Sequence, residues 1–221
     1  MDTTTSEKKE LQKTHNKICF INAACEIIDE EGVENISIRK ISKKSGFHNS
    51  TIYLYFKDLE ELIMLSSIKY MRHFSCQLEH LDTPDNASHK FLQIWDFFFE
   101  CIEDKPNLFN HFFYGSRSDC LSNILETYYK IFPDEKPEYK NEIDPLFFGE
   151  NITERNLAIL SPVLDETGHA DKKDYPLIND LIVSYFKYKL ELRCKTPTLD
   201  NQAQKKEFLD TVRYLTGIPR T

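Results

Sequence analysis

Apolar residues recur at helical spacing along most of this chain. Between residues 16 and 31 they stand at Ile18, Ile21, Cys25 and Ile28, with Ala24 and Ile27 beside them, which predicts a helix with one buried face. Gly32 follows the acidic end Asp29-Glu30-Glu31, as a left-handed residue just past a helix would. Ser37 then precedes IRKISKKS, where Ile38 and Ile41 lie three apart, so the serine predicts an N-cap and Gly46 an end after about two turns. A short segment opens at Asn49. A long amphipathic helix starts near Asp58, whose carboxylate suits a helix N-terminus. Beyond Pro84 the pattern predicts helices over about 86–104, 106–115, 118–132, 152–166, 174–195 and 201–216. A looser stretch with Pro133, Pro137 and Pro145 interrupts them, and Pro197 separates the last two.

One stretch departs from this regularity. Residues 46–56 read GFHNSTIYLYF, a glycine, a polar run and then closely spaced aromatics. A strand reading of TIYLYF fails because no second strand is available to pair with it, and an isolated strand is unstable. Two helices joined by a glycine-containing turn make a helix-turn-helix. In that arrangement Gly46 supplies the positive φ of the turn. Phe47, Ile52 and Phe56 pin the second helix against the first. Asn49, Ser50 and Thr51 are short donors and acceptors able to reach base edges or phosphates at a helix N-terminus. Tyr53 and Tyr55 each combine a packing ring with a hydroxyl for phosphate.

Composition narrows the class. Of 221 residues, 29% are charged and only 6 are glycine, which suits a helical protein better than an all-β one. No apolar run approaches the roughly 20 residues of a transmembrane helix, and the polar start MDTTTSEKKELQKTH is no signal peptide, so a cytoplasmic protein without a membrane partner is expected. The net charge of −8 argues against a protein that coats nucleic acid over its whole surface. Its distribution is uneven, however: residues 1–57 sum to +1 and the rest to −9. Arg39, Lys40, Lys43, Lys44 and Lys57 form a basic island with no acid between Ile36 and Lys57, which fits local contact with a polyanion.

The run from Ile18 to Leu62 resembles the DNA-binding domain of the TetR (tetracycline-repressor-like) family of transcription regulators. The residues that carry the likeness are Ala23-Ala24, Gly32, Ser37, Gly46-Phe47, Thr51-Ile52-Tyr53, Tyr55-Phe56 and Glu60-Glu61-Leu62. The resemblance implies an all-α fold: an N-terminal three-helix helix-turn-helix domain and a larger C-terminal helical domain for ligand and dimerisation. It implies a flexible tail at 1–14, DNA binding at 15–57 and the second domain at 58–221. Asn49, Ser50, Thr51 and Tyr53 would face the major groove or its phosphates, and Tyr55 the flanking backbone. Arg39 would reach a base or phosphate, and Ser37, Lys40, Lys44, His48 and Lys57 complete the expected DNA-binding set. Three positions depart from the family pattern. Leu59 stands where many members carry a phosphate-binding lysine, so Lys57 is the substitute. His48 stands where a hydroxyl residue often caps the recognition helix, and Ser42 and Ser45 replace the usual alanines.

The implied function is a ligand-responsive, sequence-specific regulator, a repressor released from a palindromic operator in double-stranded DNA by a small apolar or aromatic effector. Trp95, Phe98, Phe113 and Tyr129 are the candidates to line an effector cavity; core packing is the default meaning of such aromatics. A homodimer is expected from the last two helices. DYPLINDLIVSYFKYKLELRC is apolar on more than one helical face, which places Leu181, Val183, Phe186 and Leu190, with Phe208 and Val212, at the interface.

Two other readings stay open. His73, Cys76 and His80 share a helix face and could ligate zinc or copper, giving a metal- or redox-responsive regulator; a half-buried stripe is the plainer alternative. The acidic body and Leu59 would also suit an interaction module that no longer binds DNA. Six cysteines without CxxC pairing suggest buried, reduced thiols. N-x-S/T triplets such as those at Asn49, Asn86 and Asn151 are taken as chance matches to a glycosylation signal. No GxSxG, P-loop, HExxH or GxGxxG points to an enzyme, and no cofactor is expected.

Overall fold

The computed structural model describes residues 3–79, 86–136 and 149–220, with the backbone alone for 3–5 and 71–79. Nine α-helices run through the described residues: α1 (Thr3–Glu31), α2 (Ile38–Ser45), α3 (Leu59–Glu79), α4 (Ala87–Asp104), α5 (Pro106–Tyr114), α6 (Leu121–Ile131), α7 (Ile152–Thr167), α8 (Tyr175–Lys195) and α9 (Asn201–Thr216). Short 3-10 helices join several of them, and the described residues hold no strand. The chain divides into two compact units, residues 1–73 with 123–137 and residues 74–122 with 138–221.

In the first unit, α1 begins well inside the segment expected as a tail. Local pairs support its early turns: Lys13 meets Glu10 at 2.6 Å, and Gln12 Nε2 donates to Asn16 Oδ1 at 2.9 Å. Further along, Phe20, Ile21, Ala24 and Ile27 are buried together with Ile41 of α2, Ile52 and Phe56 of the following segment, and Leu62, Leu65 and Ile68 of α3. Each of the larger of these side chains contributes about 1.5–3 kcal/mol by leaving water. Ser37 caps α2, its hydroxyl accepting from the Lys40 N–H at 3.4 Å, and Gly46 ends it in the left-handed region at φ 78°. Gly32 also has positive φ, 87°, but its ψ of 159° is extended rather than helical. The chain leaves α1 through a sharper bend than a left-handed cap would give. Asp58 Oδ1 accepts from the Glu61 N–H at 2.9 Å, closing the start of α3 as its position promised.

In the second unit, α8 packs against α5, α7 and α9, and α4 against α7 and α9. Polar side chains lock these pairs. Asn156 of α7 donates to Asn179 of α8, Asn201 of α9 donates to the Phe99 carbonyl of α4, and the buried Lys189 donates to Gln204 and Glu207 of α9. Being surrounded on three sides explains the breadth of α8's apolar surface. Val183, Phe186 and Leu190, with Phe208 and Val212 of α9, are buried in this unit's own core, so the structure moves them off the expected dimer surface. Leu181 is the member of that set left open, at 48% exposure. Two of the N-x-S/T triplets begin with helix caps: Asn86 accepts from the His89 N–H and Asn151 from the Glu154 N–H.

Candidate nucleic-acid interface

The segment after Gly46 is a six-residue 3-10 helix, Asn49–Leu54, rather than an α-helix. Its orientation is set by what it buries. Ile52 and Phe56 point into the first unit's core, and the Phe47 ring meets Phe20 at 4.8 Å. With those side chains fixed inward, Asn49, Ser50, Tyr53 and Leu54 are left outward and Thr51 half-exposed. Tyr53 is 58% exposed and Leu54 77%. A surface that presents an amide, two hydroxyls, a phenol and an apolar tip is suited to base edges: hydrogen bonds for the polar groups, a thymine methyl for the leucine. Leu54 was missed in the sequence because an apolar residue between two buried ones reads as core.

His48 begins this segment in the place of the usual hydroxyl residue. Its Nδ1 accepts from the Ser50 N–H at 3.3 Å and lies 2.9 Å from the Ser50 hydroxyl. An imidazole nitrogen thus does the capping that serine or threonine would do. Leu59 sits within the first turn of α3, with its N-terminal backbone groups already engaged by Asp58 and Glu61.

The basic island splits into two sets. Lys44 Nζ lies 2.6 Å from Glu30 and 3.3 Å from Glu26, and Lys40 Nζ lies 2.5 Å from Glu31, so both cations face carboxylates of α1. The Glu30 carboxylate holds the Lys44 ammonium above its ordinary pKa. Arg39, Lys43 and Lys57 are exposed, and among the described residues no ion pair is recorded for them. Those three offer positive charge outward without first having to break a pair. Lys43, expected in the basic island but not in the DNA-binding set, belongs with them.

Tyr55 is half-buried. Its ring stands 5.8 Å from Phe20, and its hydroxyl oxygen accepts a hydrogen bond from Asn16 Nδ2 at 2.7 Å. The expected phosphate contact therefore shares this oxygen with a bond to α1.

Comparison with known proteins meets this geometry at the same residues. The family model of bacterial regulatory proteins, tetR family, matches residues 20–64, the span from Phe20 through the reading segment into α3. Over this span the chain is similar to TetR-family transcriptional regulators. It is 26% identical over 174 residues to an HTH-type transcriptional regulator of Staphylococcus aureus (strain USA300), covering 67% of this chain and 92% of that protein. Over 79 residues it is 34% identical to the fatty acid metabolism regulator protein of Bacillus subtilis (strain 168), covering 36% of this chain and 40% of that one. Two solved structures share the fold. One is the regulator RolR in complex with resorcinol, with a TM-score of 0.58 at 15% identity over 95% of this chain and 96% of the other. The second is FadR of Bacillus subtilis in complex with stearoyl-CoA, with a TM-score of 0.57 at 20% identity over 91% and 99%.

In the second unit, Trp95, Phe98 and Phe113 come together. Trp95 meets Phe98 at 5.5 Å, Phe186 at 4.8 Å and Phe208 at 4.9 Å, and Phe98 meets Phe113 at 5.6 Å. The Trp95 indole nitrogen is buried there without a hydrogen-bond partner. Tyr129 belongs to the first unit, where its ring meets Tyr128 at 5.6 Å. A concavity of about 670 Å³ lies elsewhere in the second unit, an open depression bordered by His169, Asp171, Ile178, Tyr214 and Leu215. The metal candidates His73, Cys76 and His80 fall outside the described side chains. Among the described residues no three His, Cys, Asp or Glu side chains are grouped to hold a metal. Of the cysteines, Cys25 is buried, Cys19, Cys101 and Cys194 are half-buried and Cys120 is exposed. Burial pushes the thiol of Cys25 up to about 11 and that of Cys101 to about 12, which keeps both protonated and poorly nucleophilic at neutral pH.

Proposed function

We propose that this regulator works as a homodimeric repressor that grips a palindromic DNA site with two copies of the 49–54 segment and releases it when a small apolar or aromatic effector enters the second unit. The observation that carries the DNA half is the outward display of Asn49, Ser50, Tyr53 and Leu54 on a segment anchored by Ile52 and Phe56. Arg39, Lys43 and Lys57 supply the phosphate-facing charge. In this reading residues 15–57 hold the DNA-contacting surface and residues 58–221 serve effector and partner. It assigns the chain no catalytic step and places it in the cytoplasm, with its DNA; no described helix is long and apolar enough to cross a membrane.

A single 3-10 segment makes few base contacts, whereas two related by a twofold axis double them one DNA turn apart, roughly 34–36 Å. Leu177, Leu181 and Tyr188 are exposed on one stripe of α8, at spacings of four and seven residues, and form the surface we assign to the partner copy. The effector class is supported by the apolar, aromatic character of the Trp95, Phe98 and Phe113 cluster and by neighbours of the same fold whose structures contain resorcinol and stearoyl-CoA. Because α3 contributes residues 59–73 to one unit and 74–79 to the other, it is the covalent path along which an effector would act on the DNA-binding segment. Typical coupling of this kind is about 1–3 kcal/mol.

A mobility-shift assay with duplexes from the region upstream of the protein's own gene tests the reading, repeated with a panel of hydrophobic compounds. A retarded complex that a compound dissolves while raising the melting temperature is the expected result. Failure to bind any upstream duplex would remove the DNA half, and a panel without thermal shift or release would remove the effector half.

A further inference from the structure

Asn16 is a polar residue on an apolar face. It lies one turn before Phe20 on the side of α1 that Phe20, Ala24 and Ile27 bury, and it is only 9% exposed. A buried amide needs partners on both of its ends. Its oxygen accepts from Gln12 Nε2 at 2.9 Å, and its nitrogen donates to the Tyr55 hydroxyl oxygen at 2.7 Å. The direction of the second bond matters. A phenol carries one hydrogen, and because Asn16 uses the oxygen, that hydrogen stays uncommitted. Phe20 packs against the Tyr55 ring and holds it in place.

We propose that Asn16, backed by Gln12, is a positioning residue that keeps the Tyr55 O–H turned outward to donate to a DNA backbone phosphate. This inference rests on the DNA-binding reading above. Phosphate oxygens only accept, so a tyrosine whose own hydrogen were spent inside the protein could offer them nothing. Lys13, one turn before Lys17 on the exposed side of α1, stands within electrostatic reach of the same phenol. Its pKa is raised first by the hydrogen bond to Glu10 and in smaller part by Tyr55. Lys13 Nζ is itself paired with Glu10 at 2.6 Å, so the oriented Tyr55 O–H is the donor on which the contact depends. Gln12, in the segment expected to be a loose tail, becomes part of its support.

Binding of the full-length chain to a fluorescein-labelled duplex of mixed sequence at low salt tests this, since phosphate contacts need no operator. Tyr55→Phe keeps the ring and should weaken binding about fivefold, with the salt dependence unchanged because a neutral donor releases no counterion. Asn16→Ala should weaken binding about as much in the native background and not at all in the Tyr55→Phe background. Asn16→Asp, which accepts where asparagine donates, should draw the phenolic hydrogen inward and weaken binding further; its plain charge repulsion is read from the same substitution beside Tyr55→Phe. Gln12→Ala, at an exposed site that leaves the fold intact, should cost about twofold and likewise vanish without the hydroxyl. Equal losses from Asn16→Ala in both backgrounds, or native affinity for Tyr55→Phe, would overturn the proposal while leaving DNA binding in place. No binding by the unaltered chain would overturn both.

Discussion

In the first unit Phe20 gathers Phe47, Tyr55 and Phe56 at ring distances of 4.8, 5.8 and 6.0 Å. In the second, Trp95, Phe98, Phe99, Phe186 and Phe208 close on one another over similar distances. The two clusters are alike in chemistry and opposite in consequence. The first lies under a surface segment, where burying Ile52 leaves its neighbour Tyr53 facing out. The second joins α4, α8 and α9 inside its unit, and its indole N–H ends in the core unpartnered. An aromatic group in a helical protein therefore tells little about function by itself. What decides is whether the backbone carrying it has a second, solvent-facing side.

The sharpest break between the clusters is expected in stability. Phe186→Ala should cost about 3–5 kcal/mol, because Phe186 is fully buried against Trp95, Phe98, Phe99 and Phe208 and its loss leaves a cavity. Chemical denaturation followed by Trp95 fluorescence reads this directly, as it is the chain's single tryptophan. A loss below about 1 kcal/mol would mean the second cluster is not a core. The converse test is Tyr53→Ala in the first unit. Stability should move by no more than about 0.5 kcal/mol while operator affinity falls about tenfold or more, and unchanged affinity in a folded variant would take Tyr53 out of the interface.

Charge sharpens the comparison at smaller scale. Lys43→Ala should reduce the salt slope of DNA binding by about one unit, while Lys44→Ala, whose ammonium already faces Glu26 and Glu30, should reduce it by clearly less. Equal slopes would show that the α1 carboxylates surrender Lys44 when DNA arrives. The smallest effects concern one unpartnered polar group in each unit. The Ser42 hydroxyl is buried without a partner, so Ser42→Ala should stabilise the first unit by about 1 kcal/mol. Trp95→Phe should be within about 1 kcal/mol of neutral, since relief of the unpaired N–H offsets the lost ring volume. A large loss from Trp95→Phe in calorimetry would indicate that the N–H makes a bond in solution.

Much of the segment proposed to contact DNA was legible because its logic is local. Gly46 needs a positive φ, Ser37 and Asp58 cap the helices that follow them, and the spacing of Phe47, Ile52 and Phe56 assigns an inner side whatever lies beneath. Leu54, Asn16 and the division of the basic island were not legible, because each depends on which residue lies across the fold. Lys40 and Lys44 differ from Lys43 only by facing α1. The helix bounds from α4 to α9 follow from periodicity, but the placement of Val183, Phe186 and Leu190 did not.

Amphipathic period, capping residues and a spaced motif were enough to determine an all-α chain with an N-terminal helix-turn-helix, since these signals act within a turn or two of backbone. The tertiary structure alone decided which apolar face of α8 remains open. A helix packed on three sides and a helix shared with a partner carry the same hydrophobic pattern, and they differ only in whether the neighbours come from the same chain. Tertiary structure also decided that the tyrosine oxygen at position 55 is held by an amide nearly forty residues earlier, a contact that no local periodicity encodes.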